Sequence, residues 1–302
     1  MDNNFNLLKQ NDEKPTGDNV KLGIIFIIIS AFSFAVMSLF VRLAGDLPVF
    51  QKTFFRNLIA SLFTFFLLLK SENVKMKKGS LLPLLGRSIA GTIGIICNFY
   101  AIDHLNLADA SILNKLSPIF SVLFSIFLLK EKASPLDWLL IFFALVGAVF
   151  IAKPSFDVSH TLSTLVGFIG GLGAGLAYAF VRVLGKNGER PSYIVFFFST
   201  FSCITVIPFM IFDYHEMTLL QLTYLLLAGV MACIAQYTVT LAYKFAPAKE
   251  VSLYGYTQII FSALLGFVFV YELPDIFSII GYVIIVSSSI LKSFIRKKTE
   301  SK

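Results

Sequence analysis

Apolar runs long enough to cross a bilayer follow one another along almost the whole chain, and no other feature limits its fold so sharply. A hydrocarbon core of about 30 Å takes roughly 20 helical residues, and its lack of water forces backbone polar groups to pair internally. Candidate spans fall near 22–41, 49–69, 81–101, 107–129, 136–152, 165–185, 191–212, 219–243, 248–270 and 275–295. The fifth is short but uninterrupted, and Asp103, His104 and Asn106 mark a wet turn between the third and fourth. Only 14% of the residues are charged, against about 25% in a soluble domain. The 33 phenylalanines would leave a water-soluble fold with large exposed apolar patches. The expected medium is lipid.

The formal charge of +7 does not indicate nucleic acid, because Lys and Arg lie in short segments between apolar runs, with no polar surface for a phosphate backbone. They orient the chain instead. With a cytoplasmic N-terminus, eighteen Lys and Arg fall in inside segments and three, Arg42, Lys52 and Lys153, fall outside. An even number of spans with both ends inside gives this asymmetry, and it places His104, His160 and His215 outside. The first twenty residues are polar and lack the apolar heart of a signal peptide, so the first span is expected to be retained. Cys97, Cys203 and Cys233 all lie in apolar runs, as small packing residues do. The expected location is a bacterial cytoplasmic membrane, with both termini cytoplasmic.

A shift of 141 residues lays 101–131 on 242–272, matching Ala101, Ser111, Phe120, Ser121, Leu123 and Glu131 with Ala242, Ser252, Phe261, Ser262, Leu264 and Glu272. Span four then meets span nine, and span five meets span ten. Each repeat holds five spans, and an odd number makes the second copy enter the membrane from the opposite face. Secondary transporters use such inverted repeats, with the substrate between the halves near the midplane. The expected fold is an all-α membrane protein with ten transmembrane helices as two inverted five-helix repeats. Its parts are an N-terminal tail 1–20, a first repeat 21–153, a second repeat 165–295 and a basic tail 296–302.

The ten-span pattern, Phe55-Arg56 early in span two, Leu116-Ser117-Pro118 in span four, and Glu131 and Glu272 closing spans four and nine together carry a resemblance. Over about 22–295 the chain resembles the EamA-type transporters of the drug/metabolite transporter superfamily. Ile259 stands in the second repeat where Pro118 stands in the first. The resemblance implies a ten-helix bundle moving small metabolites, with a pocket formed by the inward faces of spans one to four and six to nine. It names no substrate.

No Asp or Glu lies deep in a span, whereas Arg56, Arg87, Lys115 and Arg182 lie within spans. A charge at the bilayer centre costs about 2.5–3.5 kcal/mol on insertion scales, so each cation needs a reason. Arg182 is close enough to the inner end to snorkel. Arg87 shares a face with Ala90, Gly91, Gly94 and Asn98, and Gly86, Ala90 and Gly94 form a small-residue ridge. Either helix packing or a cavity wall explains that pattern. Lys115 lies about 12 Å from either span boundary at a rise of 1.5 Å per residue, beyond easy snorkelling. Its face carries Ser111, Asn114, Pro118, Ser121 and Ser125, and Pro118 deprives the Asn114 carbonyl of a helical partner. A pocket or a structural lysine bound to carbonyls both fit. Arg56, with Thr53, Asn57, Ala60 and Thr64, is suited either to a carboxylate or phosphate or to neighbouring carbonyls.

In the second half, Gly229, Cys233, Gln236 and Thr240 share a face of span eight. Ser252, Tyr256 and Ser262 share a face of span nine, with Tyr254 and Gln258 nearby, and the tyrosines either stack on a substrate or pack. Gly167, Gly171 and Gly175 form a close-contact ridge in span six. Glu131 and Glu272 sit at span ends, as capping or gating residues would. The chain has no H-E-x-x-H, no G-x-S-x-G and no intramembrane histidine, so an enzyme has no evident seat for its chemistry. No repeated ring of pore charges marks a channel.

The expected function is secondary transport of a small polar metabolite, an amino acid, zwitterion or organic anion, by alternating access. The substrate-contacting residues are expected to be Lys115, Asn114, Ser111, Arg56, Asn98, Arg87, Gln236, Tyr256 and Tyr254, with a helix break at Pro118. The partners are the small-molecule substrate and the lipid bilayer, and neither cofactor nor metal is called for. Two alternatives remain: transport of a nucleoside-like or cationic metabolite such as S-adenosylmethionine, and a membrane sensor or scaffold.

Overall fold

The computed structural model describes residues 19–70, 76–104, 113–131, 133–152, 161–270 and 276–300, all helices and turns. The helices are α1 (Val20–Leu43), α2 (Val49–Leu69), α3 (Leu81–His104), α4 (Ser117–Leu129), α5 (Pro135–Ala152), α6 (Thr161–Lys186), α7 (Pro191–Phe212) and α8 (Leu219–Phe245). A helical turn at Ala248–Val251 and a 3-10 turn at Ser252–Tyr256 then lead into α9 (Thr257–Val270), and α10 (Ile276–Glu300) follows. Among the described residues seven helical stretches are long and apolar enough to cross a membrane, the last of them Ala248–Phe269. Ser117–Leu129, Pro135–Gly147 and Ile279–Ser288 are shorter apolar helices. The chain is an all-helical integral membrane protein. Its outer surface agrees, with exposed side chains such as Phe66, Leu82, Phe127 and Phe212 directed at lipid.

Span four differs from its expected form. The proline was expected inside a continuous helix, where it would orphan the Asn114 carbonyl. Instead the chain turns at Lys115 and Leu116, and α4 starts at Ser117 with Pro118 in its first turn. There the missing N–H costs nothing, because that donor has no intrahelical partner anyway. Lys130 ends α4 in the left-handed conformation, at φ 54°, with Glu131 next in the chain.

Packing runs mainly between helices distant in sequence. The principal neighbours are α1 with α8, α3 with α6, α2 with α7, α5 with α10, α4 with α6, α2 with α8, and α1 with α9. Glycines set the closest approaches. A Cβ at Gly94 would lie 3.0 Å from the Ala174 nitrogen and 3.2 Å from the Gly170 oxygen, so α3 and α6 meet backbone to backbone. On another side of α6, Gly167, Gly171 and Gly175 face Leu113, Ser117 and Phe120, the close-contact role their spacing predicts.

One end of the bundle, the end where α1 begins, is closed. Asn19 N–H donates to the Phe245 carbonyl at 2.7 Å, joining the start of α1 to the end of α8. An apolar cluster including Ile27, Leu84, Val122, Val181, Leu184, Val239 and Val251 fills the bundle there. Above it the rings of Tyr178 and Tyr243 stack 5.1 Å apart. The Tyr243 hydroxyl lies 3.3 Å from those of Ser121 and Ser252, which are 2.8 Å from each other.

Candidate substrate-binding site

Arg87 is 2% exposed, and its course follows from what lies four residues on. A Cβ at Gly91 would collide with Nη1 of Arg87 and lie 2.8 Å from Cε2 of Phe198. The bare glycine therefore gives the guanidinium its room, and the side chain runs along α3 away from the nearer end of the span. This resolves the two readings of that helix. The ridge of Gly86, Ala90 and Gly94 packs against α6, while Arg87, Gly91 and Asn98 face inward. Cζ of Arg87 lies 3.9 Å from the centre of the Phe198 ring on α7, and Nη2 donates to Gln236 Oε1 on α8 at 2.8 Å. Its Nε is buried with no acceptor among the described residues.

Arg56 on α2 is 4% exposed. Nε donates to Met37 Sδ at 3.2 Å and Nη1 to Asn57 Oδ1 at 3.3 Å. Asn57 is itself fixed, donating to the Thr53 carbonyl and to Ser202 Oγ on α7, both at 3.0 Å. Tyr178 of α6 shares a cavity wall with both arginines.

Both arginines line one cavity, where the centre of a water molecule has about 90 Å³ in which to move. Its wall is drawn from α1 to α3, the turn before α4, and α6 to α9. Asn98, Asn114, Gln236 and Gln258 supply amides, Ser38 and Tyr178 supply hydroxyls, and Phe34, Phe99 and Phe198 supply apolar faces. No carboxylate lies among the described lining residues. Ser38 is exposed, Asn98 and Asn114 are half-buried, and Arg56, Arg87 and Gln236 are buried.

Lys115 stands one step behind the wall. Its Nζ donates to Gln258 Oε1 at 2.6 Å, and Gln258 lines the cavity. Tyr254 belongs to the apolar cluster at the closed end, and Tyr256 packs with Leu140 and Leu253, its hydroxyl buried without a partner. Ser111 lies outside the described residues. The structure therefore gathers Arg56, Arg87, Asn98, Asn114 and Gln236 at one cavity, adds Lys115 through Gln258, and sets the two tyrosines in packing positions. It also brings in Phe198 and Tyr178. Nothing in the sequence distinguishes Phe198 among 33 phenylalanines.

The fourth cation departs from expectation. Arg182 does not snorkel. It is 1% exposed, its Nε donates to Glu131 Oε1 at 3.0 Å, and Nη1 donates to the carbonyls of Tyr243 and Lys244 at 3.4 and 3.2 Å. Lys186 reaches the same Glu131 oxygen at 3.2 Å but is 43% exposed. Arg182 thus ties α4 and α6 to the last turn of α8, whose carbonyls lack helical partners.

Residues 21–153 and 164–294 match the EamA-like transporter family. The chain belongs to that family. Relatives are similar over almost its whole length. The pseudopaline exporter CntI of Pseudomonas aeruginosa is 34% identical, over 93% of this chain and 99% of its own. An uncharacterised transporter of Helicobacter pylori is 27% identical, over 91% and 95%. Human solute carrier family 35 member G1 is 25% identical, over 89% and 78%. A solved crystal structure shares the fold at a TM-score of 0.76, with 17% identity over 92% of this chain and 98% of that one. This EamA-like protein is therefore a membrane transporter of the drug/metabolite superfamily and not an enzyme.

Proposed function

We propose that this EamA-like transporter carries a small anionic metabolite across the cytoplasmic membrane by alternating access, with the substrate held between two inverted five-helix repeats. One observation carries the substrate reading. Two buried arginines line the same cavity, and no carboxylate among the described lining residues neutralises them. A cation such as S-adenosylmethionine would meet their repulsion, and a sensor or scaffold is disfavoured by the family, whose named relatives are transporters.

The neighbour pattern supports the repeats. Adding five to each first-half helix number, and subtracting five from each second-half one, turns the α1–α8 pair into α6–α3 and the α1–α9 pair into α6–α4. It maps α2–α7 and α5–α10 onto themselves, and all of these are observed neighbours. Helices α4 and α9 also begin, at Ser117 and Thr257, at positions that the repeat shift relates to within one residue. The closed end is the cytoplasmic one on the distribution of basic residues. The exporting Pseudomonas relative supports outward movement of the cargo.

The test is uptake into proteoliposomes containing the purified full-length chain, using labelled organic anions, amino acids and organic cations. Anions should enter above protein-free vesicles, and Arg87→Gln should abolish their entry. Transport of cations with anions excluded would overturn the proposal.

A further inference from the structure

The charges and amides of the cavity go further than a preference for anions. An amide beside a cation turns its oxygen to it, because Lys and Arg donate and never accept. Arg87 takes the oxygen of Gln236, Lys115 that of Gln258, and Arg56 that of Asn57. Gln236 and Gln258 line the cavity, and with its oxygen engaged each has only its NH₂ donors left to offer. A guanidinium has five N–H donors. Arg87 uses one on Gln236, Arg56 uses one each on Met37 and Asn57, and every one of these acceptors is uncharged. The Arg87 Nε donor is buried with no acceptor among the described residues. Two buried like charges therefore share one cavity, with no charged acceptor among its described lining residues. A single negative charge would neutralise one of them and leave the other unpaired in a site screened from water.

We infer that the cargo is at least a dianion, its negative charges shared between Arg56 of α2 and Arg87 of α3. This deepens, and rests on, the anion-transport reading. Two chemistries meet the requirement: a small dicarboxylate with one carboxylate at each guanidinium, or a phosphate monoester bridging both, since planar guanidinium forks suit either group. Phe198 under the Arg87 guanidinium and Gly91 beside it are positioning residues, fixing where that charge stands.

The test compares probes of similar size that differ by one charge. The purified full-length protein in nanodiscs is titrated with succinate, glutarate and glycerol 3-phosphate against monomethyl succinate, monomethyl glutarate and lactate, with melting temperature and proteoliposome uptake as readouts. At least one dianion should bind tenfold or more tighter than the monoanions. Preference for the dicarboxylates or for the phosphate ester then identifies which dianion chemistry is used. Arg56→Gln and Arg87→Gln should each collapse the discrimination towards unity, which a merely structural arginine would not do. Phe198→Leu should weaken dianion binding while keeping some preference. If monoanions bind and are carried as well as dianions, the dianion inference falls and anion transport stands. If none of the anionic probes binds or is carried, both fall.

Discussion

Glu131 offers the sharpest perturbation of the closed end. Its carboxylate is 12% exposed and pairs with Arg182, which is 1% exposed and also holds two carbonyls of the last turn of α8. Removing one partner of a buried pair typically costs about 3–5 kcal/mol, because the other charge stays buried. The bond to Lys186, with that side chain 43% exposed, adds at most about 1 kcal/mol. The ion pair joins α4 and α6, and Arg182 extends it to α8, so its loss falls on the state in which these helices converge. At about 1.4 kcal/mol per decade, Glu131→Ala should lower the ratio of closed to open at this end by roughly two to four decades. The assay is maleimide labelling of Ala177→Cys, a buried lining residue of α6, in a background without the three native cysteines. On the proposed topology, inside-out vesicles present the Val20 end to the reagent. Labelling should rise steeply in the Glu131→Ala protein and stay slow in its parent. A lowered melting temperature with unchanged labelling would make the pair a fold-holding contact only, and no change in either would refute the account.

Gly91→Ala should displace the Arg87 guanidinium from Phe198 and raise the KM for an anionic substrate about thirtyfold, since a desolvated cation–π contact is worth about 2 kcal/mol; an unchanged KM would show that Arg87 has room elsewhere. Lys115→Ala should free the Gln258 oxygen to face the cavity and cut anion transport at least tenfold in a folded protein, with Lys115→Arg recovering part; a wild-type rate for the alanine variant would make Lys115 structural. Single cysteines near His104 and His215 should react with impermeant reagents from outside, and cysteines near Lys77 and Lys297 should not. External labelling at Lys77 would reverse the topology.

What the sequence made legible followed from the solvent, and what it hid followed from distance along the chain. Lipid demands long apolar helices, so α1 to α3 and α6 to α8 could be placed from hydropathy alone. A cation at depth must be there for a reason, so Arg56, Arg87 and Lys115 stood out before their surroundings were known. Arg182 misled because depth measures the reach to water and says nothing of a carboxylate 51 residues back that meets it inside. Pro118 misled because a proline pattern is the same inside a helix and in its first turn, and only the turn at Lys115 and Leu116 decides. The partners were hidden most deeply, yet they follow a rule. Arg87 meets Gln236 at a separation of 149, Lys115 meets Gln258 at 143 and Asn57 meets Ser202 at 145, each close to the repeat shift of 141. These contacts join α3 to α8, the segment before α4 to α9, and α2 to α7, each helix to its counterpart in the other half. On the proposed two-repeat arrangement, a residue near the axis faces the neighbourhood of its own equivalent. Scanning the counterpart helix at about one repeat length would have found Gln236 and Gln258, though not the local partner of Arg56 or the Glu131 partner of Arg182. Neutral amides also explain how a chain with no deep acid can bury three cations. Gln236 and Gln258 of the second half hold Arg87 and Lys115, and Asn57, its own neighbour, holds Arg56; each steadies a cation without cancelling its charge, which is the charge the proposed anionic cargo would meet.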